Sequence, residues 1–142
     1  SFSRAEIDGF LIKDAYKFFP LHARIGLLNN IYRGLKHGGS LLLMSEWSDT
    51  RAVVGLKNNI PIDILLSDCS SERDWENKIR TELQSGGAEI ARFYEVDENQ
   101  LRLEGHNAGF SVSTQIYDYG SAYAQKNRWR VNKQFVTTFT KT

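Results

Sequence analysis

Residues 20–46 read PLHARIGLLNNIYRGLKHGGSLLLMSE, and this stretch decides the fold. Apolar residues in its first part recur at close to a 3.6-residue period, which predicts a helix with one buried face; they are Leu21, Ile25, Leu28, Tyr32 and Leu35. Pro20 suits the first turn of this helix, and Gly38-Gly39 is expected to end it. The continuous apolar run at residues 41–44 then predicts a strand covered on both faces, as in a parallel sheet.

A second strand is predicted before this helix. Residues 7–12 (IDGFLI) form a short apolar segment that ends in the polar pair Lys13-Asp14. A strand, a helix and a second strand with short connections make a βαβ unit. The N-terminal part of the chain is therefore predicted to contain a parallel strand pair.

The rest of the chain adds two helices and two strands. Ser71 with Asp74 three residues later resembles a capping box and predicts a helix over residues 72–84, and Asp97 is a good N-cap for a helix reaching about residue 108. β-branched and aromatic residues dominate residues 110–117 and 131–140, which predicts two strands joined by a polar loop. Residues 51–66 are compatible with helix or strand, and residues 90–96 with a strand or a helical turn.

The predicted architecture is a single α/β domain over residues 1–142. It has a partly parallel sheet with flanking helices and a C-terminal antiparallel strand pair. A chain of 142 residues, 41% of them hydrophobic, is expected to build one core.

The amino-acid composition argues against several classes of partner and ligand. A net charge of +1, from 18 Lys and Arg against 17 Asp and Glu, provides no global attraction to nucleic acid or to an anionic membrane. The apolar stretches are far shorter than the roughly 20 residues that span a bilayer, and no leader is recognised. The lone Cys69 cannot form an internal disulfide, so we expect a cytoplasmic protein. His22, His37 and His106 lack metal-ligand spacing, so no metal is predicted.

Residues 20–46 resemble the stretch of class I S-adenosylmethionine-dependent methyltransferases in which a helix carries Leu-x-x-Ile-Tyr-x-x-Leu-Lys-Pro-Gly-Gly into the fifth sheet strand and an acidic residue. His37 stands where the family usually has Pro. Residues 103–110 (LEGHNAGF) resemble the Leu-x-x-Ala-Gly-Phe that leads into the sixth strand, and Phe135-Val136 lies where the seventh is expected. The pattern is most similar to that of carboxy-S-adenosylmethionine synthases. The resemblance implies the second half of a Rossmann-like methyltransferase fold, with S-adenosylmethionine as cofactor.

The part of the family that mainly holds the cofactor has no counterpart here. The family uses a Gly-rich turn after its first strand, where backbone N–H groups approach the ligand, and an acidic residue after its second strand. The sequence contains no G-x-G-x-x-G, and it begins where the family's fourth strand would begin. The resemblance therefore implies a C-terminal half that is incomplete without an N-terminal cofactor-binding half.

The resemblance places candidate site residues at the C-terminal edges of the parallel strands, where α/β sheets bind ligands. Asp14 and Lys13 are the catalytic candidates, with Asp14 accepting a hydrogen bond from the methyl acceptor or acting as a base. The cofactor contacts are Asp14, Ala15, Tyr16 and Phe18, whose aromatic faces suit a sulfonium. The substrate contacts are Glu46, Trp47, Tyr117, Arg128 and Trp129, the last two from a segment that mixes cations with stacking surfaces.

Three functions are compatible with the sequence. The first is a methyltransferase-like domain acting on a small molecule or an RNA base. The second is a non-catalytic interaction or oligomerisation module, in which a partner chain or a second copy covers an exposed sheet. The third is a small RNA-acting nuclease or toxin domain, which residues 126–133 and the unpaired histidines alone support.

Overall fold

A computed structural model of the chain describes residues 6–46, 51–118 and 133–142. The strands and helices are β1 (Ile7–Lys13), α1 (Leu21–Gly34), β2 (Leu35–Glu46), β3 (Ala52–Lys57), β4 (Ile60–Leu65), α2 (Glu72–Gln84), β5 (Ala88–Phe93), α3 (Glu98–Asn107), β6 (Ser111–Asp118) and β7 (Lys133–Thr140). They fall into two units. Unit 1 comprises Ser1–Ser48 and Val96–Thr142, and unit 2 is Asp49–Glu95. A single domain over residues 1–142 stays a prediction, because the presence of two compact units does not decide whether they fold separately.

Unit 1 contains a four-stranded sheet with the order β1-β2-β7-β6. β1 and β2 are parallel and are joined through α1, whereas β7 is antiparallel to both β2 and β6. The predicted fold class is confirmed: the sheet is partly parallel, and β6 and β7 form the C-terminal antiparallel pair. The helix predicted after Asp97 is also confirmed as α3, with the Asp97 side chain accepting the Gln100 N–H at 2.9 Å.

One face of this sheet forms the core of unit 1. Leu43 and Phe139 are fully buried there and pack with Leu28 of α1 and Leu101 of α3. Gly105 allows α3 to lie against β7, since a Cβ at this position would come within 2.5 Å of the Phe139 ring. The two helices therefore cover the same face.

The predicted end of the first helix is wrong. α1 ends at Gly34, where the N–H of Leu35 makes the last helical hydrogen bond to Ile31, and β2 begins at once. Gly38 and Gly39 lie inside β2, where Gly38 has a φ of 81° and the Gly39 carbonyl accepts the N–H of Lys141. The two glycines therefore lie in an irregular part of β2 and do not end helix α1. Leu35 is fully buried, and its burial favours an extended backbone there.

The predicted burial pattern is partly wrong as well. Leu42 is 37% exposed and pairs with Leu11 of β1, which is 62% exposed, so in the described residues β2 is covered on one face only. Ile25 of α1 is 64% exposed, whereas Arg24 is fully buried. Apolar periodicity identified the helix but placed its buried face about one residue away from the observed one.

Unit 2 is a three-stranded antiparallel sheet with the order β4-β3-β5 and the helix α2 against it. Residues 51–66, which the sequence left open, contain the hairpin β3–β4, with φ values of 51° at Asn58 and 66° at Asn59. Trp75 of α2 is buried and donates its indole N–H to the Ile64 carbonyl at 2.9 Å. The predicted helix over residues 72–84 is confirmed, with the Ser71 hydroxyl accepting the Asp74 N–H.

Candidate functional site

The strand register brings several of the predicted site residues to one edge of the unit 1 sheet. The Asp14 N–H donates to the Met44 carbonyl at 2.9 Å, so the carboxyl ends of β1 and β2 are adjacent. Glu46 of β2 pairs with Gln134 of β7, which in turn pairs with Tyr117 of β6. A row of backbone positions therefore runs across the sheet beside Asp14. Trp47, Arg128 and Trp129 lie outside the described residues.

Asp14 has two unusual features. Its φ is 55°, a left-handed conformation that costs free energy in any residue with a Cβ. One carboxylate oxygen, Oδ1, is buried and has no hydrogen-bond partner among the described residues. A buried acceptor without a donor is costly, and strained backbone tends to persist at ligand sites. Asp14 Oδ1 therefore has an acceptor capacity that no described residue uses.

The neighbours of Asp14 differ in exposure. Lys13 is exposed and Ala15 is half-buried. Phe18 is 47% exposed, with the Lys17 ammonium 5.8 Å from its ring centroid. Tyr16, by contrast, is fully buried within the core of unit 1. Phe18 is thus about half exposed, four residues after Asp14 in the chain. The predicted contact of Tyr16 with a sulfonium stays a prediction.

Sequence reasoning missed one residue of this region, Arg24. Its side chain is fully buried, and its guanidinium donates from Nε to the Phe19 carbonyl at 3.1 Å and from Nη2 to the Tyr16 carbonyl at 3.4 Å. The guanidinium carbon also lies 4.5 Å from the Tyr16 ring centroid. The only signal in the sequence was a cation near the apolar face of a predicted helix, which is usually a surface position.

Glu104 of α3 completes the cluster around Arg24. Its Oε1 lies 3.5 Å from Arg24 Nη1, and its side chain is 14% exposed. Burial raises the pKa of Glu104, although the Arg24 charge opposes this. Burial, and then the Glu104 charge, raise the pKa of the Tyr16 hydroxyl, which faces Glu104 without a well-formed hydrogen bond. Tyr16 is therefore a neutral phenol across the physiological range and cannot serve as a base.

Each of two cavities lies within a single unit. One, of about 350 Å³ in unit 2, is lined by residues that include Asp63, Cys69 and Glu82. The other, of about 220 Å³ in unit 1, lies between α1 and α3 and includes Ile25 and Leu103 in its walls. Neither is lined by a predicted site residue.

Residues 6–46, 51–118 and 133–142 contain no group of three or more His, Cys, Asp or Glu side chains placed to share a metal ion. None of their helices has the length and hydropathy needed to cross a bilayer.

No protein-family model and no curated protein sequence matches this chain significantly. Solved structures do match. An S-adenosylmethionine-dependent methyltransferase of Methanosarcina mazei superposes with a TM-score of 0.58 at 13% identity, over 99% of this chain and 63% of its own. Phosphoethanolamine N-methyltransferase 2 of Haemonchus contortus, solved with phosphomonomethylethanolamine and S-adenosylhomocysteine, superposes with a TM-score of 0.53 at 13% identity, over 99% of this chain and 35% of its own.

This likeness shows that the chain has a class I methyltransferase-like fold, as the sequence resemblance implied. The chain spans less than two thirds of the length of both solved structures.

Proposed function

We propose that the chain is the C-terminal part of an S-adenosylmethionine-dependent methyltransferase domain that transfers a methyl group to a small molecule or an RNA base. The observation that carries this proposal is the buried Asp14 Oδ1 at the carboxyl end of β1, which has no hydrogen-bond partner among the described residues. In open α/β sheets, ligands bind at this edge. The left-handed backbone of Asp14 costs free energy, and strain of this kind clusters at ligand sites.

The proposed roles follow from position. Asp14 accepts a hydrogen bond from the methyl acceptor or takes its proton, with Lys13 beside it. Ala15, Tyr16 and Phe18 form the cofactor side, where the exposed Phe18 ring suits a sulfonium. Glu46 and Tyr117, whose backbone positions lie further across the sheet, contact the acceptor. Trp47, Arg128 and Trp129, outside the described residues, are proposed as further acceptor contacts because of their chemistry alone. The cofactor supplies the methyl group as an electrophile, and the protein's task is to align the acceptor with it.

Three observations support an additional cofactor-binding half. β1 is the edge strand of the described sheet, so further strands can extend the sheet on that side. The sequence has no Gly-rich phosphate-type turn. Both solved structures contain chain that this sequence does not cover. In this proposal, strands that precede β1 in the fold, with their Gly-rich turn, supply most of the cofactor contacts.

The second candidate function, an interaction module, is favoured by one face of the unit 1 sheet. Leu11 is 62% exposed and Leu42 is 37% exposed on adjacent strands. Apolar residues grouped on an open sheet face are typical of a surface that another chain covers. A partner chain or a second copy on this face is compatible with the first proposal if that chain contains the cofactor-binding half.

We also propose a cytoplasmic location, because the single Cys69 cannot form an internal disulfide.

The test is isothermal titration of the chain with S-adenosylhomocysteine and S-adenosylmethionine. Asp14→Ala is compared with Asp8→Ala, which removes an exposed aspartate at the other end of β1. Saturable binding that Asp14→Ala weakens and Asp8→Ala leaves unchanged supports a cofactor site at this edge. Without heat at millimolar ligand, residues 1–142 alone are not a methyltransferase, and the same titration is repeated with any upstream segment of the gene. Failure of both titrations would contradict the proposal.

A further inference from the structure

The segment between β1 and α1, residues 14–19, carries all the proposed cofactor contacts but has little regular secondary structure of its own. It begins with the left-handed Asp14 and ends with Phe19 in an extended conformation. Between them is one turn of 3₁₀ helix, closed by hydrogen bonds from Phe18 N–H to Ala15 and from Phe19 N–H to Tyr16, both of 3.1 Å. A single 3₁₀ turn is too short to be stable alone. Its conformation must therefore be held from outside the segment.

Arg24 provides the hydrogen bonds that fix this segment from outside. Two different nitrogens of its guanidinium donate to two carbonyls of the segment, those of Tyr16 and Phe19. The guanidinium is planar, so its donors have fixed relative positions and can define the positions of both carbonyls at once. The Tyr16 ring against the guanidinium adds a third contact. These contacts fix the backbone immediately after the strained residue, while the hydrogen bond from Asp14 to Met44 fixes it on the other side.

The cost of burying Arg24 argues against a simple packing role. Removing a cation fully from water is expensive, and an apolar side chain of similar volume would fill the core at lower cost. The ion pair with Glu104 offsets only part of this, because its 3.5 Å separation is long for a charge-assisted hydrogen bond. The hydrogen bond from Nε to the Phe19 carbonyl, at 3.1 Å, is shorter than this ion-pair contact. The geometry thus favours a function that needs the segment held in one conformation.

We propose that Arg24 is a positioning residue, whose fork to the Tyr16 and Phe19 carbonyls holds residues 14–19 in the conformation that presents Asp14 and Phe18 to the ligand. The ligand part of this inference rests on the proposed function. The ordering of the segment does not, so the two can be tested separately. Arg24 acts through the segment and does not itself contact the ligand.

Amide hydrogen exchange of the full chain tests the ordering, with Arg24→Lys and Glu104→Gln as a matched pair. Arg24→Lys keeps the charge opposite Glu104 but loses the planar fork, whereas Glu104→Gln keeps the fork and loses the ion pair. Since an ammonium cannot reproduce the two donors that the planar fork directs at separate carbonyls, Arg24→Lys is expected to speed exchange at Phe18 and Phe19 about tenfold. Exchange of core residues 41–44 is expected to stay as in the wild type. Glu104→Gln is expected to change the amide exchange rates of residues 14–19 by less than about twofold.

Titration of the same variants with S-adenosylhomocysteine tests the ligand part. Arg24→Lys is expected to weaken binding about tenfold, in step with the opening of the segment, and Glu104→Gln to weaken it far less. If the wild-type chain binds no S-adenosylhomocysteine, the proposed function fails for this chain, and hydrogen exchange still decides whether Arg24 orders the segment.

Two results would overturn the positioning role. One is unchanged exchange at residues 14–19 in Arg24→Lys, and the other is an equal rise there and in the core, which would indicate a general loss of stability. If Arg24→Lys does not fold, a measurement on the wild-type chain tests the positioning role instead. NMR of the unmodified chain must then show a slowly exchanging Arg24 Nε–H signal coupled to the Phe19 carbonyl, and a rapidly exchanging signal would contradict the proposal.

Discussion

The Lys141 ammonium group donates a hydrogen bond of 2.8 Å to the Leu35 carbonyl, which ties the C-terminal end of the chain to the residue that follows α1. A second bond of 2.9 Å runs to the Tyr32 carbonyl, and the ammonium lies 4.6 Å from the Tyr32 ring centroid. Lys141 is 8% exposed, so these contacts are largely shielded from water. A lysine from the end of the chain thus satisfies carbonyls that a helix terminus leaves without partners.

Lys141→Met is expected to lower the free energy of unfolding by about 2 kcal/mol, because it removes two charge-assisted hydrogen bonds and leaves buried carbonyls without a donor. Urea denaturation followed by circular dichroism measures this. Lys36→Met is the control, since the Lys36 pair with Asp8 is exposed and is expected to contribute about 0.5 kcal/mol or less. Equal effects of the two substitutions would contradict the role of Lys141.

Two helical glycines are expected to respond in opposite directions to replacement by alanine. In Gly105→Ala the new Cβ would lie 2.5 Å from atoms of Phe139 and Val112, so the protein should lose about 1–3 kcal/mol. In Gly26→Ala the Cβ meets nothing within 4 Å, and the exposed helix should gain up to about 1 kcal/mol. Thermal denaturation of both variants checks the prediction, which fails if both shift the midpoint in the same direction.

Asp14→Gly is expected to raise the free energy of unfolding by about 1 kcal/mol while abolishing the proposed ligand binding. Glycine adopts a φ of 55° without strain, and the substitution removes a buried oxygen that lacks a donor. Asp14→Ala keeps the backbone strain and should therefore be less stable than Asp14→Gly. Denaturation and S-adenosylhomocysteine titration of both variants separate the two effects. A loss of stability in Asp14→Gly would show that the aspartate has a structural role.

The raised pKa of Glu104 predicts a pH-dependent loss of stability. Because burial raises its folded-state pKa above the ordinary value of 4.5, the native state binds this proton more tightly than the unfolded chain does. The contribution is therefore fully present below about pH 4.5 and is lost as the pH rises through the folded-state pKa.

Glu104→Gln removes this dependence, so its stability relative to the wild type should increase with pH above 4.5 and then level off. Urea denaturation at several pH values between about 4 and 8 measures the difference. Glu98→Gln, on the same helix, is the control. A difference between Glu104→Gln and wild type that stays constant across this range would rule out the linkage.

The hairpin turn of unit 2 gives a further pair of test variants. Asn58 and Asn59 both have positive φ, which glycine tolerates best and alanine poorly. Asn59→Gly is expected to stabilise unit 2 by a few tenths of a kcal/mol or more, and Asn59→Ala to destabilise it by about 1 kcal/mol. Hydrogen exchange of residues 52–65 measures the change in stability of unit 2 locally. The turn assignment is wrong if Asn59→Ala exchanges more slowly than Asn59→Gly.

Much of the architecture follows from sequence signals that act over a few residues. The caps at Ser71 and Asp97 predicted where α2 and α3 begin, because a side-chain oxygen bonds an amide only two or three positions away. Apolar periodicity and the Leu-rich run located α1 and β2, and the resemblance of residues 20–46 indicated the family of folds. The Asn-Asn turn was an equally local signal, but Pro61 and the apolar residues around it left helix and strand both open.

Tertiary structure alone decided the rest, because the determining contacts join residues distant in the chain. Helix α1 stops at Gly34 because Leu35 packs into the core as the start of β2 and Lys141 binds its carbonyl, neither of which the Gly38-Gly39 signal contains. Arg24 is buried because Glu104, 80 positions away, and the segment after β1 surround it. Local signals in the sequence thus predicted most of the helices and strands and indicated the family of folds. The folded chain was needed to decide which faces are buried, which charge is enclosed and that Asp14 Oδ1 has no donor among the described residues, since each depends on long-range packing rather than on local preference.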